Sequence, residues 1–478
     1  MKKLISLCLL TAISSTAISQ QVFTLDSCRN MALNNNKQIR IAEEKIKAAG
    51  YEKKSAFANY LPGIDVMGTY MYNSKEISLL SKDQKAELSQ LGTQAANAVQ
   101  GMIPPPYETI LGPMLSGLVA PLNAVGGSLV DALRTNTTNV FAGAVTITQP
   151  LYMGGKIRAY NQITKYAEKL AQSQKNTAVK DLIFKVDEAY WQVVSLVYKK
   201  KLAESYVSLL DTLNNNVQEM ILEGVATKSD GLTVAVKLNE AQITLTKVDN
   251  GLSLSKMLLA QICGLPVDLQ YNLADENSSP QVELVPQAFN MDEVYAHRSE
   301  IHSLTLATDI YKYKQRVALS SMLPNLALTG NYIFSNPNVF NSFENKLSGM
   351  FSVGVVLKIP IFHWGKDYYK VKAAKTERNI AMLNLEDAKE KIELQVNQAS
   401  FKVNEANKKL EMTRKNMEKA EENLRNAQYG FEEGVMTTDN VLEAQTAWLQ
   451  AESEKIDAEI DVRLCNVYLS KALGIMNK

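Results

Sequence analysis

The chain has 478 residues, 51 basic against 50 acidic, and only three histidines. So even a charge balance carries no electrostatic footprint of a nucleic-acid partner. His297, His302 and His363 are scattered, which leaves little material for metal or acid–base chemistry, and no cofactor is expected.

The first residues predict a secretory signal over 1–19. Lys2 and Lys3 form its charged start, Leu4 to Ile13 its short apolar core, and Ala17-Ile18-Ser19 the small residues before a cut near Gln20. Cys8 leaves with the signal. The mature chain keeps Cys28, Cys263 and Cys465, an odd number at wide spacing, which predicts single buried thiols rather than a disulfide framework. After the signal no run of 18 or more residues is wholly apolar. No membrane-spanning helix is therefore expected, and the exported chain is soluble, surface-associated or a β-barrel.

The remainder is written twice, a first repeat at 20–272 and a second at 287–478. Pro150-Leu151-Tyr152 matches Pro360-Ile361-Phe362, and Glu223-Gly224-Val225 matches Glu433-Gly434-Val435, both at an offset of 210. Gly264 and Gly474 keep the same offset, so the helices between should be equal in length. The front ends match more loosely, Phe23-Thr24-Leu25-Asp26 with Phe289-Asn290-Met291-Asp292 and Leu61-Pro62 with Leu323-Pro324. Residues 270–287, with Asn277-Ser278-Ser279-Pro280, read as the linker.

Each repeat predicts a short helix, a strand, a loop, a strand, a long helix, a turn and a further helix. The strands are Ile64 to Tyr72, Val140 to Gln149, Leu326 to Phe334 and Phe351 to Ile359, each alternating with period two. Their length suits a tilted transmembrane strand. Tyr60, Tyr152, Phe362, Trp364, Tyr368 and Tyr369 gather at the strand–helix corners, as an interfacial girdle would. The same alternation also suits a soluble sandwich. The asymmetry is an insert, residues 73–139, whose counterpart Ser335 to Gly349 is much shorter. The insert holds Pro104-Pro105-Pro106 and an apolar stretch, Ile110 to Leu133. Such a stretch is expected to pack over the barrel mouth or between protomers.

The long helices are predicted at 157–223 and 367–433, roughly 100 Å each at 1.5 Å per residue. Ile392, Val396, Ala399, Val403, Ala406, Leu410, Thr413, Met417, Ala420, Leu424, Ala427 and Phe431 form a seam of alternating three and four spacings. Subtracting 210 gives Leu182, Val186, Ala189, Val193 and onward, with polar breaks at Lys200 and Asn214. Lys389, Glu390, Lys391, Lys408 and Lys409 keep these helices in water. Taken alone, the seam also suits a coiled-coil stalk. Four strands cannot close in lipid, so membrane strands require several chains, and three chains give twelve.

The duplication, the Gln149-Pro150-Leu151-Tyr152-x-Gly-Gly155 corner and the paired turns together resemble the TolC family of outer-membrane efflux proteins. Those turns read Glu223-Gly224-Val225-Ala226-Thr227-Lys228-Ser229-Asp230 and Glu433-Gly434-Val435-Met436-Thr437-Thr438-Asp439-Asn440. The resemblance covers nearly the whole mature chain except the insert. It implies a mainly α fold with a β-barrel portion: four transmembrane strands per chain, a twelve-stranded barrel in a homotrimer, and a long α-helical barrel through the periplasm. It also implies the outer membrane of a Gram-negative cell, contact with its lipid, and partners in a periplasmic adaptor protein and an inner-membrane pump. Small molecules and drugs would pass through unchanged.

Carried over by position, the resemblance makes the turns the periplasmic tips. Gly224, Thr227, Gly434 and Thr437 would dock the adaptor. Asp230, Asp439, Asn440 and Glu443 would line the entrance, with Asn440 standing where the family's ring has an acid. Phe431 and Met436 stand where some members hold the tip with polar tethers, which implies a gate packed by apolar contact. Asp230 and Asp439 equally fit plain helix N-terminal charges. Other readings are the exit duct of a type I protein secretion system and a non-channel periplasmic coiled-coil protein. Gly154-Gly155-Lys156 lacks the upstream glycine of a phosphate loop, Pro150 standing there, and with no catalytic constellation in the sequence an enzyme is not expected.

Overall fold

The computed structural model describes residues 21–75, 79–104, 108–135, 137–276, 289–340 and 345–476. The expected signal over 1–19 and most of the expected linker over 270–287 lie outside the described residues. The elements run β1 (Gln21–Phe23), α1 (Leu25–Asn35), α2 (Lys37–Ala58), β2 (Gly63–Tyr72), α3 (Lys82–Ser89), α4 (Leu91–Gln100), α5 (Glu108–Ala132), β3 (Asn139–Met153) and α6 (Lys156–Leu222). They continue α7 (Lys228–Cys263), β4 (Tyr271–Leu273), α8 (Met291–His297), α9 (Ser299–Ser320), β5 (Asn325–Asn336), β6 (Ser348–Lys358), α10 (Lys366–Glu432) and α11 (Thr438–Leu473). The long helices α6 and α10 have 67 residues each, and α7 and α11 have 36 each, as an ungapped repeat requires.

Two compact units form, and each draws on both repeats. One holds the described residues of 1–53, 162–314 and 373–478, the other those of 54–161 and 315–372.

In the first unit the side-by-side order of the four long helices is read from their ion pairs. Lys200 of α6 meets Asp249 of α7, Lys199 of α6 meets Asp457 of α11 at 2.7 Å, and Lys409 of α10 meets Asp461 of α11 at 3.0 Å. The order is α7, α6, α11, α10, with α6 and α11 inside. Burial agrees: α11 buries 15 of its 36 residues and α7 only seven. Eleven of the twelve residues of the α10 seam are buried, Ala420 excepted. The outer helices carry uncovered apolar stripes, Leu232, Val236, Ile243 and Leu254 on α7 and Leu383, Leu394, Phe401 and Met412 on α10. Strand β1 pairs in parallel with β4, Gln21 opposite Tyr271. The loop-bounded helix ends are closed in matching ways. Asn36 Nδ2 donates to the Ile262 carbonyl at the end of α7, and Arg298 donates to the Ala472 carbonyl at the end of α11. A buried pair has no such echo: Arg29 of α1 grips Asp187 of α6 through two bonds of 2.7 Å, with Asp187 wholly buried.

The second unit holds an antiparallel sheet in the order β2-β3-β5-β6, with Ile64 opposite Ile147, Ile147 opposite Gly330 and Gly330 opposite Val353. Strand β3 runs to Met153 rather than stopping at Gln149, because a register shift between Pro150 and Tyr152 carries the chain past the proline. Every residue of β2 and all but the first of β6 are exposed. The corner after β3 turns on Gly154 at φ +60°, where an added Cβ would stand 2.7 Å from the Ser320 carbonyl, so only glycine fits. The matching corner after β6 puts Trp364 at φ +49° and 88% exposed, with room for the ring.

The insert folds as three helices. Asn123 of α5 accepts from the Gly92 and Thr93 N–H groups and so caps α4. A Cβ on Gly92 would meet the Val119 carbonyl at 2.3 Å, so glycine lets the helices touch. Residues Leu111–Ala132 of α5 are long and apolar enough to cross a membrane by length and composition. Pro113, Pro121 and the glycines break the run of apolar residues without adding charge or ending the helix.

Candidate channel entrance at the helix tips

The two turns join α6 to α7 and α10 to α11, and they are built alike. Leaving α6, Gly224 adopts φ +81° and Val225 N–H returns to the Met220 carbonyl at 2.9 Å. Leaving α10, Gly434 adopts φ +73° and Val435 N–H returns to the Gly430 carbonyl at 2.7 Å. This is the left-handed closure that satisfies a helix's last carbonyls. A Cβ on either glycine would meet nothing within 4 Å, so the demand is on backbone conformation alone.

Thr227 and Thr437 then start α7 and α11 as N-caps, each within a reciprocal box. Asp230 N–H donates to Thr227 Oγ1 at 3.2 Å, while Thr227 N–H and its hydroxyl donate to Asp230 Oδ2 at 2.8 and 2.7 Å. In the second turn Asn440 N–H donates to Thr437 Oγ1 at 3.4 Å, Thr437 N–H donates to Asn440 Oδ1 at 3.3 Å, and the Thr437 hydroxyl donates to the same oxygen. The bonds to Asp230 from the Thr227 hydroxyl, and next from the Thr227 N–H, hold its carboxyl below the usual range. The capping work is therefore done by a carboxylate in one turn and a neutral amide in the other.

Both turns rest on one apolar cluster. Tyr206, Leu210, Leu213 and Val217 of α6, Val234 and Ala241 of α7, Leu424, Ala427 and Phe431 of α10, and Val441, Leu442 and Ala444 of α11 pack together. Phe431 is buried in it. Met436 stands at the turn, exposed, over Gly430. A Cβ on Gly430 would lie 2.9 Å from Met436 Cγ. Asp439 and Glu443 are exposed on the first turn and a half of α11, four apart and so on one helical face. Asn440 beside them is engaged in the cap.

Two residues escaped sequence reasoning. Gly430, the lone glycine of α10, costs helix propensity of about 1 kcal/mol and is there to admit the Met436 side chain. Gly231, where a Cβ would stand 2.8 Å from Ile221 Cδ1, does the same between α7 and α6. The signal available was a glycine inside a strong helical pattern. Cys28, Cys263 and Cys465 are free thiols, Cys28 and Cys263 buried, and Cys263 Sγ lies 3.6 Å from the Cys28 carbonyl.

The model of the outer membrane efflux protein family matches residues 112–265 and 291–475. No curated protein sequence matches the chain. Among solved structures, the outer membrane protein VceC of Vibrio cholerae superposes with TM-score 0.70 at 14% identity, covering 94% of this chain and 96% of that one. The CmeC outer membrane channel of Campylobacter jejuni gives 0.71 at 16%, covering 94% and 85%. The open state of the MtrE outer membrane channel of Neisseria gonorrhoeae gives 0.69 at 16%, covering 94% and 88%. At these identities the likeness is one of fold. The family model covers well over half of the chain, which therefore belongs to the outer membrane efflux protein family: a transport protein of the outer membrane, with the internally duplicated, TolC-like helical channel fold.

Proposed function

We propose that three copies of this outer membrane efflux channel combine their sheets into one twelve-stranded barrel and act as the passive exit duct of a tripartite pump for small molecules and drugs. The observation that carries this reading is the open sheet. Strands β2 and β6 lie at its two ends, each with one edge unpaired among the described residues. Backbone groups left open in hydrocarbon cost several kcal/mol each, so a sheet with two free edges is tolerable in lipid only when other chains close it. The uncovered apolar stripes on α7 and α10 give the same three-fold contact a second seat, between the outer helices of neighbouring copies.

In this reading the repeats at 20–272 and 287–478 are the two halves of each protomer. Gly224, Thr227, Gly434 and Thr437 form the tips on which a periplasmic adaptor docks, with an inner-membrane pump beyond it. Asp439 and Glu443, with Asp230 on the neighbouring turn, make the entrance attractive to cations. Phe431 and Met436 hold it by apolar packing.

Planar-bilayer conductance of the detergent-purified protein, together with its mass, tests this. Discrete channels from a species of three chains are expected, with block by multivalent cations that weakens in Asp439→Asn/Glu443→Gln. A water-soluble species that never inserts would overturn the reading.

A further inference from the structure

We propose that Cys28 and Cys263 are joined by a disulfide in the exported protein, stapling helix α1 to the end of helix α7. The two residues are far apart in sequence but adjacent in the fold. Cys263 Sγ lies 3.6 Å from the Cys28 carbonyl. Both residues are 1% exposed and lie in one apolar cluster with Ala32, Leu259, Tyr190 and Tyr271. Helices α1 and α7 are held in register there from both sides, by the Asn36 bond to the Ile262 carbonyl and by the β1–β4 pairing.

The second repeat provides the control. By the offsets of the two repeats, Val294 stands for Cys28 and Leu473 for Cys263. Both are buried in the matching cluster, 3% and 5% exposed. Packing at this contact is thus met by an aliphatic pair, and the first repeat has two thiols instead. Cys465 belongs to other clusters and stays out of the pair.

The compartment suits the bond, since a protein of the outer membrane folds in an oxidising space. Chemically, each thiol loses its proton and the pair loses two electrons as the S–S bond forms. The electrons pass to a disulfide oxidant, either an oxidoreductase or a small-molecule disulfide, which is reduced to two thiols.

The test uses full-length protein purified from outer membranes without reductant. It is denatured in the presence of an alkylating agent, digested, and mapped by mass spectrometry with and without prior reduction. Without reduction, a cross-linked pair of the Cys28 and Cys263 peptides is expected, and reduction should release both. Cys28 and Cys263 recovered as alkylated single peptides without reduction would overturn the proposal. The double variant Cys28→Val/Cys263→Leu, which copies the other repeat, guards against a folding defect. Its thermal midpoint should be insensitive to a phosphine reductant added during unfolding, whereas the wild-type midpoint should fall by several degrees. Equal insensitivity of the wild type would count against the bond.

Discussion

Helices α6 and α10 have the same length and occupy the same place in their repeats, yet they bury different faces. Helix α10 buries one seam, from Ile392 to Phe431. Helix α6 buries much of the matching seam, with Leu196, Lys200, Val207, Asn214 and Ile221 half-buried, and a second stripe as well, including Ile183, Tyr190, Val194, Val197, Leu202, Tyr206 and Leu213. Their partners reverse the pattern, α11 being buried and α7 largely bare. A duplicated sequence thus set the lengths and the seam, and position in the α7, α6, α11, α10 row decided what else each helix covers. The inner helices have neighbours on both flanks within one chain. The outer helices have one, and apolar residues on their remaining faces stay uncovered within the chain.

The sharpest way to break this comparison uses two residues of α10 one turn apart or less. Val403 is 3% exposed and Phe401 74%. Val403→Glu places an unpaired charge in the seam and should cost about 3–5 kcal/mol, enough to lose the folded protein from the outer membrane. Phe401→Glu should leave the protomer's helicity and seam intact but break the trimer. Circular dichroism and native mass spectrometry separate the two. A Phe401→Glu trimer as stable as the wild type would show that this stripe is no interface.

A second contrast lies at matched positions 187 and 397. Burial pushes the Asp187 carboxyl up, against the opposing pull of the Arg29 guanidinium, so the site depends on its partner. Asp187→Ala leaves Arg29, whose side chain is 22% exposed, with the exposed Asp26 as its ion-pair partner, and should cost about 2–4 kcal/mol, somewhat below the cost of breaking a fully buried pair. Asn397→Ala removes only an exposed bond to the Glu393 carbonyl and should stay within about 0.5 kcal/mol. Denaturant midpoints measure both. Similar losses at the two sites would mean the ion pair adds nothing specific to the first repeat.

Much of this was legible in the sequence, for physical reasons. Both 67-residue helices and all four long strands could be read because a seam and a two-residue alternation are local patterns, repeated at a fixed offset. The tip glycines and threonines could be read because closure and capping involve only neighbours. The Arg29–Asp187 pair and the Cys28–Cys263 contact could not, since each joins residues brought together only by the docking of α1. Helix α5 was hidden by Pro113 and Pro121, which look like breakers until their helix is seen to carry on. At the candidate entrance, the sequence marks Asp230 and Asn440 without revealing that both are occupied in capping boxes, which leaves Asp439 and Glu443 as exposed acids at the start of α11.

The smallest contrast is between those two boxes. Thr227→Ala and Thr437→Ala should each cost about 1 kcal/mol of local stability, read by hydrogen exchange at the first amides of α7 and α11. Acid should tell them apart. The folded Asp230 carboxyl sits below its ordinary value, so its contribution is present above the unfolded pKa, near pH 4, and is lost as pH falls through the lower folded value. The first turn of α7 should therefore lose protection in that acid window. The first turn of α11, capped by the neutral Asn440, should not. Asp230→Asn should make the two turns respond alike while leaving protection at neutral pH nearly unchanged, because an amide oxygen already serves the same bonds in the second tip. If α7 keeps its acid sensitivity in that variant, the loss arises elsewhere, and Asp230 is free to serve the entrance rather than the cap.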